Sequence, residues 1–182
     1  MLFRSSKLKN GHYEITLPLK DRQRPVPNNR AQAEQRTMSL KKKLEKNSTF
    51  HDDYKIFIHD IVPKEYAQRV PDHQRRASYE GKTWFISHHG IYHPHKPGKI
   101  RVVFDCLGKH KGSSLNDQLM KGPDLTNSFL GVLIRFRQER IAVMADTEAM
   151  FHPVRVPDCD RFFFRFLWWP DATYHVLWRN IR

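Results

Sequence analysis

The stretch Phe162-Phe163-Phe164-Arg165-Phe166-Leu167-Trp168-Trp169 places seven apolar side chains in eight consecutive positions. A run that dense has no polar face to offer to water, so it reads as a core strand and its edge. The other use for six clustered aromatic rings is base stacking; burial is the simpler reading. Apolar residues make up 39% of the chain, with 12 Phe and 4 Trp among them. That is enough to build a core, and it excludes global disorder. The 182 residues suffice for one domain, or one domain with an extension.

The rest of the chain must wrap this core. Residues 12–19 alternate apolar and polar, the period of a strand. Pro25, Pro27 and Asn28-Asn29 mark a loop, and Asn29 is placed to cap a helix from Arg30 to about Lys46. That helix has a narrow apolar stripe of Met38, Leu40 and Leu44 and a polar face rich in Lys and Arg. Tyr54, Phe57, Ile58 and Ile61 predict a second helix over 52–61, limited by Pro63. Residues 68–82 read as loop, 83–87 as a strand, 88–98 as loop and 100–106 as a strand. Gly108 to Pro123 reads as loop. Phe129, Leu130, Leu133, Ile134 and Phe136 give a helix capped by Thr126 or Asn127 and ending near Gln138. Strands are expected at 141–145, 154–156, 162–169 and 174–178. Helices and strands without strict alternation predict an α+β fold.

Lys and Arg number 32 against 19 acidic residues, a net charge of +13 with pI near 10.0. A field of that sign favours polyanions, and nucleic acid fits best because many aromatics accompany the charge. Cys106 and Cys159 form neither a disulfide framework nor a zinc spacing, which fits a reducing, intracellular and cytoplasmic setting. No run of about 18 apolar residues predicts a membrane span, and the N-terminus has no apolar signal core.

Two constellations carry chemistry. Lys96-Pro97-Gly98-Lys99-Ile100-Arg101 is a cationic turn running into a strand that also holds Asp105. Residues four apart on a strand share a face, so Arg101 and Asp105 can share one surface. An arginine beside cationic lysines suits a triphosphate through forked, charge-assisted contacts; the plain alternative is a hairpin with solvated charges. The second is Ile141-Ala142-Val143-Met144-Ala145-Asp146, an apolar strand ending in a carboxylate. Buried there, Asp146 needs a cation or a hydrogen-bond network. Metal-assisted phosphoryl chemistry is one answer, and an Asp capping the next turn is the other. Glu148 reads as solvated. His88, His89, His93 and His95 lack zinc-motif spacing and read as surface loop histidines. Lys41-Lys42-Lys43 reads as a solvated helix face. No nucleophilic triad, Walker loop or dinucleotide fingerprint stands out.

The order of these motifs resembles the reverse transcriptase region of Bel/Pao-type LTR retrotransposon polyproteins. The matching text is Gly11-His12-Tyr13-Glu14-Ile15, Pro27-Asn28-Asn29-Arg30-Ala31 and Pro97-Gly98-Lys99-Ile100-Arg101-Val102-Val103-Phe104-Asp105-Cys106. It continues with Ser114-Leu115-Asn116-Asp117, Gly122-Pro123-Asp124-Leu125-Thr126-Asn127, Val143-Met144-Ala145-Asp146 and Arg165-Phe166-Leu167-Trp168-Trp169-Pro170. The resemblance spans about residues 11 to 170 and implies a fingers subdomain with an incomplete palm. The boundaries it implies are an N-terminal extension over 1–50, a fingers-like region over 51–139 and a partial palm over 140–182.

The resemblance also implies roles. Arg101 would hold the triphosphate of an incoming dNTP, with Lys96 or Lys99 beside it and Asp105 on the same strand. Asp146 would be the first catalytic carboxylate and a ligand of Mg²⁺, with the Thr147 carbonyl as a further ligand in a two-metal site. Phe151 would exclude a ribose 2′-hydroxyl. The implied partners are an RNA template, an RNA–DNA duplex and the rest of the polyprotein or palm, and no membrane.

The chain departs from the family pattern at Thr147, where Ile is usual, and at Pro153, where Gln is usual. No Asp-Asp pair follows Asp146; the pair Asp52-Asp53 lies on the wrong side. The thumb, connection and RNase H regions are expected to be missing as well. The expected function is therefore a fragment of an RNA-directed DNA polymerase, inactive as a nucleotidyltransferase by itself. The alternative is a non-catalytic nucleic-acid-binding relic.

Overall fold

The computed structural model of the chain describes residues 5–7, 13–75, 81–124, 126–145, 154–169 and 175–179. Its elements are β1 (Ser5–Lys7), β2 (Tyr13–Ile15), α1 (Arg30–Glu45), α2 (Ser48–Ile61), β3 (Ala67–Arg69), α3 (Asp72–Arg75), β4 (Ser87–His93) and β5 (Lys96–Asp105). They continue with α4 (Leu115–Gln118), α5 (Phe129–Phe136), β6 (Val154–Arg155), a 3-10 turn over Arg161–Phe164, β7 (Arg165–Trp168) and β8 (His175–Arg179). Among the described residues the strands form three small sheets. These are β1-β2-β6 with β2 and β6 parallel, the antiparallel β3-β8-β7, and the hairpin β4-β5. Helix and strand are mixed, as an α+β reading requires.

The aromatic run is the hub of the core. It begins as a 3-10 turn and becomes a strand only at Arg165, so 162–164 is not strand as expected. Phe163 and Phe164 pack with Leu17, Leu19, Trp84 and Leu115. Phe166, Trp168 and Trp169 join the cluster built by α1, α2 and β5, while Leu167 packs with Ala33, Val70 and Phe85. Phe166 and Leu167 thus enter different clusters, as the period-2 alternation of a strand requires. Trp168 stacks on Tyr54 with ring centroids 5.5 Å apart.

Helix α1 buries Ala33, Thr37, Leu40 and Leu44, at the i, i+4, i+7 and i+11 spacing of one face. Met38 is 47% exposed and falls off that stripe, contrary to expectation. Asn29 holds the N-cap position of α1, its carbonyl accepting the Ala33 N–H at 3.0 Å, but its side chain makes no cap bond. Its side-chain amide donates to the Phe85 carbonyl and its Oδ1 accepts from the Phe85 N–H, both at 2.8 Å. A backbone-like pairing with the extended segment before β4 wins over the local cap. Helix α2 begins earlier than predicted because Asn47 Oδ1 accepts the Phe50 N–H.

Three other expectations change. Residues 88–98 are a hairpin, not a loop, because His88 and Gly90 face a packed core that outweighs the turn formers. Of the segment 68–82 expected as loop, 68–69 belong to β3 and 72–75 are α3. Within 108–123, Ser114 and Asp117 form a reciprocal capping box that starts α4.

Candidate nucleic-acid interface

The β4-β5 hairpin has one buried and one open face, set by its register. Pairs His88↔Phe104, Gly90↔Val102 and Tyr92↔Ile100 alternate with Ser87↔Asp105, His89↔Val103 and Ile91↔Arg101. The first set packs on α2. Gly90 is required there: a Cβ would come within 2.8 Å of Ile100 Cδ1 and 3.0 Å of the Phe50 and Tyr54 rings. Tyr92 packs edge-on against Phe50, and its hydroxyl donates to Asp53 Oδ2 at 2.6 Å. At the tip, Gly98 has φ +82, a left-handed conformation that glycine adopts without strain.

The second set carries the cations. Lys99 and Arg101 are exposed and alternate with the buried Val102 face. Lys96 pairs with His93 at the tip. Asp105 shares the face of Arg101, as its spacing predicted, and closes the hairpin base. Its Oδ1 accepts the Leu107 N–H at 3.0 Å and its Oδ2 lies 3.6 Å from Arg36 Nη1. Arg36 also donates to Ser87 Oγ at 3.3 Å. A groove of ≈ 510 Å³ lies between α1 and this base, with Arg36, Lys43, His89 and Asp105 in its walls. Lys42 and Lys43 sit in the last turn of α1, where cations complement the helix dipole.

His88 is a buried residue, not a surface loop histidine. Its Nε2–H donates to the Leu167 carbonyl at 2.8 Å, which leaves Nδ1 to accept from the Tyr54 hydroxyl. Phe104, Phe166 and Trp168 surround the ring. Burial lowers its pKa from 6.5 to about 4 and raises that of Tyr54, so both are neutral at pH 7. Sequence reasoning also missed Asp160. It is 1% exposed, accepts the Leu17 N–H at 2.8 Å, and is met by Arg22 at 3.0 and 3.1 Å. These contacts span well over a hundred positions of sequence, so no local pattern signals them.

The carboxylate constellation stands differently. Asp146, Thr147, Glu148, Phe151 and Pro153 lie outside the described residues. The five residues before Asp146 are not a strand; Ile141, Val143 and Met144 are 82%, 83% and 88% exposed. No described strand pairs with them, and an apolar run without a ladder partner forms no strand. Among the described residues no group of three or more His, Cys, Asp or Glu is placed to hold a metal. The Mg²⁺ ligands that the resemblance implies, Asp146 and Thr147, lie outside the described residues, and no reaction step is derived through them.

No helix among the described residues is long and apolar enough to cross a membrane. No family model, curated protein or solved structure matches the chain.

Proposed function

We propose that the chain is the fingers and leading palm region of a Bel/Pao-like reverse transcriptase. In this reading it binds nucleic acid and lacks polymerase activity by itself. The observation that supports it most is the hairpin. Lys99 and Arg101 stand exposed on one face of a β-ribbon whose other face is fixed on α2 through Gly90, Ile100 and Val102. Cations on a rigid support suit contacts to phosphate, because little conformational freedom is lost on binding. The net charge of +13 adds a long-range attraction to a polyanion.

The parent reaction is attack of a primer 3′-hydroxyl on a nucleotide α-phosphate, with Mg²⁺ ions held by paired carboxylates supplying the charge stabilisation. This chain offers Asp146 without an Asp-Asp pair after it, and one carboxylate does not hold two metals. Its own residues, Lys99 and Arg101 with Lys96 nearby, bind and orient phosphate. The proposed partners are an RNA template, an RNA–DNA duplex and dNTP, with further polyprotein segments completing the palm.

Two measurements test the reading. Binding to an RNA–DNA duplex is expected to weaken as salt rises, and Lys99→Ala and Arg101→Ala to reduce the salt slope by about 1 each. Affinity no better than that of a size-matched basic protein, or a flat salt response, overturns it. Primer extension with Mg²⁺ is expected to show no incorporation above an Asp146→Ala control; incorporation that this change abolishes refutes the claim of inactivity. Salt-dependent binding that ignores Lys99 and Arg101 favours a relic using the α1 face instead.

A further inference from the structure

Of the sixteen large apolar side chains that stand exposed among the described residues, nine fall within the single stretch 129–144. Six lie on α5, where no side chain is buried, and Phe129, Leu130 and Ile134 are the most open of them. The other three are Ile141, Val143 and Met144, each more than four-fifths exposed. The helix has its own cap, since the Ser128 hydroxyl accepts the Gly131 N–H at 3.3 Å. An aromatic side chain presents about 150–250 Å² when fully open and an aliphatic one somewhat less, so the stretch offers on the order of 1,000 Å² to water. A soluble monomer rarely leaves a patch beyond about 300–600 Å² uncovered, and a stable interface takes about 800 Å² from each partner. The open area is that of one side of a stable interface.

The segment after α5 indicates what covers it. Ile141-Ala142-Val143-Met144-Ala145 is apolar throughout, has no ladder partner among the described residues, and follows α5 after four residues. Set against itself antiparallel about Val143, it places Ile141 opposite Ala145 and Ala142 opposite Met144. Outside the central valine pair every large side chain then meets a small one, so the faces interlock without crowding. A two-fold axis requires this self-matching, because residue i meets j and j meets i. No charge falls within the five, so the pairing buries none. Arg135, Arg137 and Arg140 stand nearby against one acid, Glu139, and two copies bring these charges together. All four are exposed, and long arginine stems keep the charge in water, where salt screens the repulsion but not the apolar gain. Nucleic acid is a poor occupant, because phosphate gains nothing from the apolar side chains.

We infer that α5 and the 141–145 segment form an isologous interface with a second copy of this chain, the two 141–145 segments pairing antiparallel about Val143 and each α5 covered across the two-fold axis. A two-fold interface is closed, so association stops at the dimer. The pairing also occupies an apolar segment that otherwise recruits further chains. The dimer is independent of the hairpin and of the polymerase reading. Its salt dependence has the opposite sign, because counterion release weakens phosphate binding as salt rises.

The test is sedimentation equilibrium of the full chain at about 0.1 M and about 0.5 M salt. A monomer–dimer equilibrium is expected, tighter at the higher salt. Val143→Glu and Val143→Lys are each expected to weaken it about tenfold or more, because the axis sets the residue against its own copy and like charges meet. An equimolar mixture of the two variants is expected to restore the dimer, since opposite charges then meet. Val143 is 83% exposed, so neither variant threatens the fold, and an unchanged thermal midpoint checks this. Leu107→Glu, at a 69% exposed site outside the stretch, is expected to leave the dimer unchanged, as are Lys99→Ala and Arg101→Ala. A monomer at every concentration overturns the inference and leaves the face to an unlike partner. Open-ended growth beyond the dimer overturns it too. So does a dimer insensitive to both Val143 variants, or a mixture that recovers nothing.

Discussion

His88 shows how one side chain ties stability to pH. It bridges the Tyr54 hydroxyl on α2 and the Leu167 carbonyl on β7 inside an aromatic shell. Burial holds its folded-state pKa at about 4, against 6.5 when exposed. Between these values the unfolded chain binds a proton that the folded chain refuses, so stability is complete above pH 6.5 and falls as pH drops toward 4. The loss over that window is about 3 kcal/mol. Denaturant unfolding measured across it checks this, and a flat profile sinks the assignment. Glu65 gives the opposite kind of case, a residue whose backbone costs stability. Glu65→Gly at φ 55 is expected to raise unfolding free energy by about 1 kcal/mol, read as a higher denaturation midpoint.

Between residue and fold, helices and strands are held by close approach rather than by propensity. Gly90 lets α2 lie directly on β4, with Phe50, Tyr54 and Ile100 all within 3.0 Å of the missing Cβ. These are ring atoms and a core methyl in a packed cluster, so Gly90→Ala is expected to destabilise by about 1–3 kcal/mol. An unchanged midpoint would show that the hairpin can lift off α2 at no cost. Because the hairpin carries Lys99 and Arg101, the same substitution is expected to weaken duplex binding. The residue that fixes the support and the residues proposed to contact phosphate lie on opposite faces of one ribbon.

Taken as a whole, the molecule buries its aromatic run in three clusters and leaves α5 uncovered. Phe129, Leu130 and Ile134 are 77%, 66% and 57% exposed, and no α5 side chain is buried. An amphipathic helix of this kind ordinarily packs its apolar face against another surface, and open it promotes association. Leu130→Glu together with Ile134→Glu is expected to raise solubility and lower dye binding without shifting the unfolding midpoint. A marked loss of stability would show that α5 packs in solution. The net charge of +13 opposes self-association at low salt, so aggregation is expected to increase as salt screens it.

The sequence by itself determined the parts that obey local rules. The limits of α1, the presence of α2 and α5, the burial of 163–169 and the shared face of Arg101 and Asp105 all follow from turn formers, periodicity and hydropathy. These signals act over a few residues and need no partner. Only the tertiary structure decided the rest. The 88–98 segment forms a hairpin with the rest of β5, His88 enters the core, and the Asn29 side chain turns to Phe85 instead of capping its helix, because each gains a partner distant in sequence. Residues 141–145 carry the apolar pattern of a strand, yet no described neighbour completes their hydrogen bonds, and they stay exposed.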